Sequence, residues 1–259
     1  MATGTNAIAT EGEVKTKLGY SGSVDTNKCC TKARAIAMGA DSAKLTSYKD
    51  NQLVKYSDVD LPGLDPNTAP NGVYICDNKS RLWKKSDWDT SNNDNASGVA
   101  VKTYNCAFVI APVEQTLIQW DRYGTLINGC TTITNSDTAK TDYKGKQNTD
   151  AIIAQLGESE TYAARYCKEY VFPHGVKGYL PSLGELYEAY QNKSEVDACM
   201  SLIGGKPLYD SSINNNRKWS STQYDSNYAW FLYWGDGGIY NLNKAYNLYV
   251  CARPFAAFQ

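Results

Sequence analysis

The run Ala229-Trp230-Phe231-Leu232-Tyr233-Trp234 constrains this chain more than any other stretch. It holds no charge, no Pro and no Gly, and two of its side chains are tryptophans. On a strand, successive side chains point to opposite faces, so Trp230, Leu232 and Trp234 share one side and Phe231 and Tyr233 the other. The tryptophan side demands a core. Gly235-Asp236-Gly237-Gly238 is a turn that brings Tyr240 and Leu242 back beside Phe231 and Tyr233. A final strand is expected near 248–253.

Composition narrows the function classes. The 259 residues carry 26 Lys+Arg against 27 Asp+Glu, a balance that speaks against a nucleic-acid partner. No apolar run reaches the roughly 20 residues of a membrane span, and residues 1–6 lack the basic and apolar regions of a signal peptide. His174 is the only histidine, which argues against His-based catalysis and His-rich metal sites. The 8 cysteines form no Cys-x-x-Cys pair, so a zinc ribbon is not expected, and reduced thiols are favoured. Tyrosine is the unusual figure, 20 against 5 phenylalanines. Tyr among Asn, Ser, Gly and Asp is the usage of recognition surfaces, and also of loop-rich folds with tyrosines at the surface. Position has to decide between them.

Residues 1–66 read as an attachment or oligomerisation segment and 67–259 as the globular domain. The first part lacks Trp; Thr10-x-x-Glu13 predicts a capped helix carrying Val14 and Leu18, and 32–38 a second short one ended by Gly39. Leu61-Pro62-Gly63-Leu64-Asp65-Pro66 marks the boundary. Beyond it, Val73-Tyr74-Ile75-Cys76 and Ser80-Arg81-Leu82-Trp83 predict a hairpin, 90–98 a polar loop and 107–111 a buried strand. Two main helices are expected: one capped by Thr149 and running to Tyr170 with a break at Gly157, the other opened by Ser182-x-x-Glu185. Ser194-x-x-Asp197 predicts a further turn or two ended by Gly204-Gly205. The fold class is therefore α+β, a mixed sheet with two main helices.

Gly178-Tyr179-Leu180-Pro181-Ser182-x-x-Glu185, Gly204-Gly205, Trp219-Ser220-Ser221-Thr222, Ala229-Trp230 and the terminal Arg253-Pro254 together resemble the variable proteins of diversity-generating retroelements. That family has a C-type lectin fold of the formylglycine-generating-enzyme subtype. The resemblance covers roughly 72–259, and 1–60 is less specifically similar to leaders of gut-phage structural proteins. It implies a hypervariable receptor-binding protein, such as a phage tail-fibre tip, with a variable region at about 219–258. It further implies a host cell-surface protein or glycan as ligand, virion tail components held through the N-terminal segment, a virion or bacterial-surface location, and a homotrimer, although no heptad run is visible. Such retroelements substitute adenines, and AAY codons so changed cannot yield Trp, Lys, Gln, Glu or Met. On that account Trp219, Gln223, Trp230, Trp234 and Lys244 are scaffold. Asp225, Asn227, Tyr228, Phe231, Tyr233, Gly235, Asp236, Gly238, Tyr240, Leu242, Ala245, Tyr246 and Leu248 lie within reach.

The calcium motifs of sugar-binding C-type lectins, Glu-Pro-Asn and Trp-Asn-Asp, are missing, so binding is expected without calcium or any cofactor. No nucleophile elbow, P-loop or dinucleotide motif is present, so no catalytic residue and no enzyme activity are expected. Two alternatives stay open: a copper-dependent oxidase with Cys251 active, and a purely structural virion protein. The site expected is one contiguous exposed face made of Asp225, Asn227, Tyr228, Phe231, Tyr233, Asp236, Tyr240, Leu242, Tyr246 and Leu248. Trp230 is expected to be buried and Phe231 exposed, so that alanine at Phe231 costs far less stability than at Trp230.

Overall fold

The computed structural model describes residues 29–37, 40, 42–49, 53–55, 63–121, 124–211 and 216–258. The chain divides into two compact units, Met1–Gly63 and Leu64–Gln259. In the first, strand β1 (Cys29–Thr31) pairs antiparallel with β2 (Leu53–Lys55), and helix α1 (Lys32–Ala37) follows β1 directly. Ala35 and Leu45 are buried there, and Lys32 Nζ donates to the Tyr48 carbonyl at 2.9 Å. The strand pair was not anticipated. The helix expected from Thr10 lies outside the described residues.

The second unit is α+β, with two open five-stranded sheets. One is wholly antiparallel: β3 (Gly72–Asp77), β4 (Leu82–Trp83), β5 (Ala96–Lys102), β6 (Ala107–Ile110) and β12 (Phe255–Ala257), in spatial order 12-6-5-3-4. Asp77 shapes the β3–β4 turn. Its carboxylate accepts from the Lys79 and Arg81 backbone N–H, from Arg81 Nε and from Trp83 Nε1, at 2.7–2.9 Å. In place of the polar loop expected over 90–98, a 3-10 helix spans Thr90–Asn95 and β5 begins at Ala96.

The other sheet is mixed. It contains β7 (Gln115–Thr116), β8 (Arg217–Gln223), β9 (Tyr228–Tyr233), β10 (Ile239–Asn243) and β11 (Val250–Ala252), in order 10-9-8-11-7, with β11 parallel to β8 and the remaining pairs antiparallel. The described α-helices of this unit are α2 (Ser136–Ala139), α3 (Gly145–Leu156), α4 (Ala163–Glu169), α5 (Leu183–Gln191) and α6 (Lys193–Leu202). Thr149 does not cap the first long helix as expected. It lies inside α3, where its hydroxyl donates to the Gly145 carbonyl at 2.8 Å, and Gly157, at φ 74°, separates α3 from α4. α5 starts as expected: Ser182 N–H and Oγ both donate to Glu185 Oε2 at 2.8 Å. Among the described residues no helix is long and apolar enough to cross a membrane.

Three cores result. Between the sheets, Ile75, Val99, Phe108 and Phe255 meet Leu183, Leu186, Val196 and Met200 of the helices, Trp230 and Leu232 of β9, and Trp234 just after it. Behind the mixed sheet, Trp219, Ala229 and Phe231 pack with Ile118, Trp120, Ile152, Ala164 and Cys167. Behind the antiparallel sheet, Tyr74, Val109 and Phe172 form the smallest core. The mixed sheet is thus covered on both faces.

The chain passes from β11 to β12, and so from one sheet to the other, through Arg253-Pro254. Arg253 is buried; it donates to the Ala111, Lys206 and Pro207 carbonyls at 3.0–3.2 Å and pairs with Glu114 Oε2 at 2.9 Å. Lys218 of β8 reaches the same oxygen at 2.7 Å, and Lys206 reaches Oε1 at 3.3 Å. Burial alone would raise the Glu114 pKa, but Arg253, Lys218 and Lys206 outweigh it and hold the carboxyl below its usual range. Replacing Glu114 by Gln leaves buried cations without their counter-charge, so a loss of about 3–5 kcal/mol in urea unfolding at pH 7 is expected. A depressed folded pKa contributes stability above the unfolded value of about 4.3, lost as pH falls through the folded one. The native chain should therefore show an acid-dependent loss below about pH 4 that Glu114→Gln lacks, measured as unfolding free energy against pH.

Candidate functional site

The exposed end of the mixed sheet is the β9–β10 hairpin. The sharp β9–β10 turn needs Gly237: its φ is +76°, and a Cβ there would lie 2.2 Å from the Tyr190 ring. Asp236 Oδ1 accepts the Gly238 N–H at 2.8 Å, and Tyr233 N–H closes on the Gly238 carbonyl at 2.8 Å. At the other end, Asp225 Oδ1 accepts the N–H groups of Asn227 and Tyr228 at 2.7 and 2.8 Å. Both carboxylates of the candidate face are thus engaged in turns.

Alternation assigns the strand faces correctly, yet the second face is not open. Phe231 is only 6% exposed, which overturns its expected place on a binding surface. It lies opposite Trp219 on β8, ring centroids 6.2 Å apart at 88°, and the third strand lays Tyr240 over it at 5.7 Å. The Arg217 guanidinium closes the remaining side, 5.9 Å from the ring. Alternation reports which side a residue faces and carries no information on what covers that side.

The ten nominated residues do not make one contiguous face. Phe231, Tyr233, Tyr240 and Leu242 share one side, and Tyr233, Leu242 and Tyr246 are half-buried against the core behind the sheet. Tyr228 falls on the opposite side, the side of Trp230. Asp225 and Asn227 sit at one end of the hairpin and Asp236 at the other, while Leu248 is exposed in the loop before β11. They form a rim that wraps the sheet edge, with Tyr228 (40%), Tyr240 (53%) and Leu248 (49%) its most exposed apolar side chains.

Two aromatic ladders hold this rim. On one side Trp219, Phe231 and Tyr240 run from full burial to solvent. On the other, buried Trp230 meets Tyr224 at 5.2 Å, and Tyr224 meets Tyr228 at 6.5 Å. Each ladder ends in an exposed tyrosine resting on a ring that is itself packed. Beside β10 lies an open groove of about 450 Å³ lined by Thr134, Asn135, Ser136, Tyr224, Trp230, Ile239, Tyr240 and Asn241. Only Tyr240 of these was nominated from sequence. Ile239, Asn241 and Tyr224 stood within the variable region, whereas Thr134–Ser136 arrive through tertiary contacts: Ile133 N–H bonds the Gln223 carbonyl at 3.0 Å, and Trp230 Nε1 donates to the Ile133 carbonyl at 2.7 Å. No local pattern signals that juxtaposition.

Lys244 anchors the loop behind the rim. Its Nζ donates to the Thr125 carbonyl at 2.6 Å and to Gln223 Oε1 at 3.0 Å, and lies 4.4 Å over the Trp120 ring. Burial lowers its pKa to about 8. Gln223 in turn donates to the Ile127 carbonyl and to Thr132 Oγ1 at 2.8 Å. Elsewhere, Cys251 is buried in β11, with burial pushing its thiol up to about 11, the state of an inert side chain. His174 contacts Ser97 Oγ through Nδ1, but Ser97 is fully buried beneath it and offers no open nucleophile.

No protein-family model matches the chain, and no curated protein matches it. Among solved structures it is similar to a fimbrial protein from Bacteroides ovatus, at 12% identity over 73% of this chain and a TM-score of 0.42; the chain spans about half of that protein's length, 49%.

The ladders lead to a stability test. Trp230→Ala and Phe231→Ala should each cost about 3–5 kcal/mol, as buried aromatics do. Tyr240→Ala should cost about 0.5–1.5 kcal/mol, the scale of one aromatic pair. Urea unfolding of the three variants checks the ranking; a Phe231→Ala variant as stable as the native chain would show that its ring is not part of the core.

Proposed function

We propose that this protein is a hypervariable ligand-binding protein of the retroelement-diversified type, built on a C-type lectin fold of the formylglycine-generating-enzyme subtype. Its role on this reading is receptor binding by a phage tail fibre, with the β9–β10 rim taking a host cell-surface ligand without calcium. One observation carries the reading. The five residues beyond the reach of adenine substitution, Trp219, Gln223, Trp230, Trp234 and Lys244, are all buried. Of the positions nominated as diversified, every one but Phe231 is at least partly exposed. A scaffold that must survive repeated substitution needs that partition: buried positions hold the fold, and exposed ones change freely.

The engaged carboxylates of Asp225 and Asp236 favour a calcium-free mode, since each already accepts backbone N–H groups. Tyr228 and Tyr240 supply the apolar anchors, and the amides and hydroxyls around them supply direction. On this reading the first unit serves attachment to the virion or to sister chains. Multivalent display then adds avidity to weak single sites.

The test is a binding assay on bacterial cells. Tyr228→Ala combined with Tyr240→Ala should weaken adhesion about a thousandfold, at about 2 kcal/mol per anchor. Adhesion should be unchanged by EDTA. Grafting a different 225–248 segment should change which cells are bound, and the coding DNA should lie near a repeat that differs only at adenines. Unchanged cell preference after grafting would sink the reading.

A further inference from the structure

The two five-stranded sheets have four edges, and three are short or closed. Tyr179 bonds both ways with Phe255 on β12, at 2.7 and 3.0 Å. β4 is two residues long and is bonded by Leu64 at 2.7 and 2.9 Å. β7 is likewise two residues long. β10 is five residues long and lies at the edge of its sheet.

Hydrogen-bond accounting shows what that edge offers. Gly238 accepts from Tyr233, and Lys244 donates to the Asn227 carbonyl, each at 2.8 Å. In the antiparallel register between them, the even-numbered residues of β10 therefore turn their backbone groups toward β9. Ile239 and Asn241 turn theirs outward, where nothing among the described residues bonds them. Ile239-Tyr240-Asn241-Leu242-Asn243 holds no charge, no Pro and no bulge, the devices that normally blunt an edge. The next residue, Lys244, is buried inward.

We infer that β10 is the docking edge for an extended, uncharged segment of a partner protein, which joins the mixed sheet as a further strand. The inference rests on the proposed role of this rim in recognition and names the chemistry it recognises. Backbone bonds to Ile239 and Asn241 give affinity that does not depend on the side chains at 240 and 242, so diversification can alter preference without abolishing docking. Every second side chain of an incoming strand, about 6.6–6.8 Å apart, falls on the side of the groove. That groove is lined by hydroxyls, amides, aromatic rings and aliphatic Ile239, with no charged group, which matches an uncharged segment. A second copy of this chain is the poorer occupant. Two short strands paired edge to edge fall well below the roughly 1,200 Å² of a stable interface.

The experiment screens the full chain against a display library of linear random peptides. Selected peptides should be largely uncharged, should slow amide exchange at Ile239 and Asn241, and should bind Asn241→Pro at least tenfold more weakly. Proline at this position removes only an outward N–H, so the sheet should persist. A second measurement needs no variant: N-methylation of alternate peptide amides should abolish binding in one phase and spare it in the other. Peptides that bind Asn241→Pro equally well and tolerate both methylation patterns would overturn the inference. So would self-association of the chain that Asn241→Pro dissolves, or a neutral oligosaccharide that fills the groove while exchange at Ile239 and Asn241 is unchanged. Cell adhesion that survives Asn241→Pro but is lost in the double tyrosine variant removes this inference and leaves the proposed function standing. Adhesion that survives both removes the two together.

Discussion

A single carboxylate, that of Glu114, holds the two sheets in one arrangement. It stands where the loop after β6, the start of β8, the segment after α6 and the β11–β12 crossover converge, and it meets a cation from each of the last three. A buried ion cluster contributes little net stability, because desolvation offsets most of the attraction. Its effect is on alternatives: any packing that separates Lys218 from Arg253 leaves an uncompensated charge in the interior. Arg253 also closes the carbonyls of Ala111, Lys206 and Pro207, so the crossover has only one way to satisfy its surroundings. The terminal Arg-Pro pair is therefore a joint between sheets.

The other motif residues perform the same kind of work. Thr222 Oγ1 donates to Asp142 Oδ2 at 2.7 Å and accepts the Leu183 N–H at 3.0 Å, so a strand residue caps α5. Asn148 of α3 donates to the same Asp142 oxygen at 2.9 Å. Tyr179 donates to Glu185 at 2.8 Å, and Ser221 N–H bonds the Pro181 carbonyl at 2.7 Å. Trp219 and Trp120 each satisfy their indole N–H on the other's neighbouring strand or loop, at 2.9 and 2.7 Å. The Trp-Ser-Ser-Thr and Gly-Tyr-Leu-Pro-Ser segments are thus two halves of one buried polar seam. With both faces of the mixed sheet consumed by packing, its open edge and turns are what remain exposed.

Much of this was legible in the residues. Capping chemistry located α5, the Asp77-Asn78-Lys79 turn located the β3–β4 hairpin, and the aromatic alternation separated Trp230, Leu232 and Trp234 from Phe231 and Tyr233. These are local signals with local causes. The errors have equally specific causes. Ala96, Ser97 and Gly98 have weak strand preference, and only pairing with β3 draws them into β5. Phe231 looks exposed from its own strand because the cover over its face comes from Arg217 and Tyr240 across the sheet, and from a cluster with Ile118, Trp120, Ile127 and Ile152, far away in sequence. The groove escaped for the same reason: Thr134–Ser136 reach β9 through Ile133 and Gln223, a contact between segments about ninety residues apart.

Burial of Phe231 changes what the rim can do. An exposed tyrosine on a flexible loop loses side-chain freedom when it binds, at about 0.5–1.5 kcal/mol per immobilised side chain. Tyr240 and Tyr228 already rest on packed rings, so much of that ordering is accomplished during folding. The ladders also separate two demands that otherwise conflict. Substitution at the outer tyrosine changes the exposed surface, while the ring beneath it, Phe231 or Tyr224, is held in turn by buried Trp219 or Trp230. A surface of this kind tolerates many sequences at its tip because its order is supplied from beneath. The aromatic excess of residues 219–249 therefore forms two layers, a packed one that fixes geometry and an exposed one, Tyr228 and Tyr240, that faces solvent.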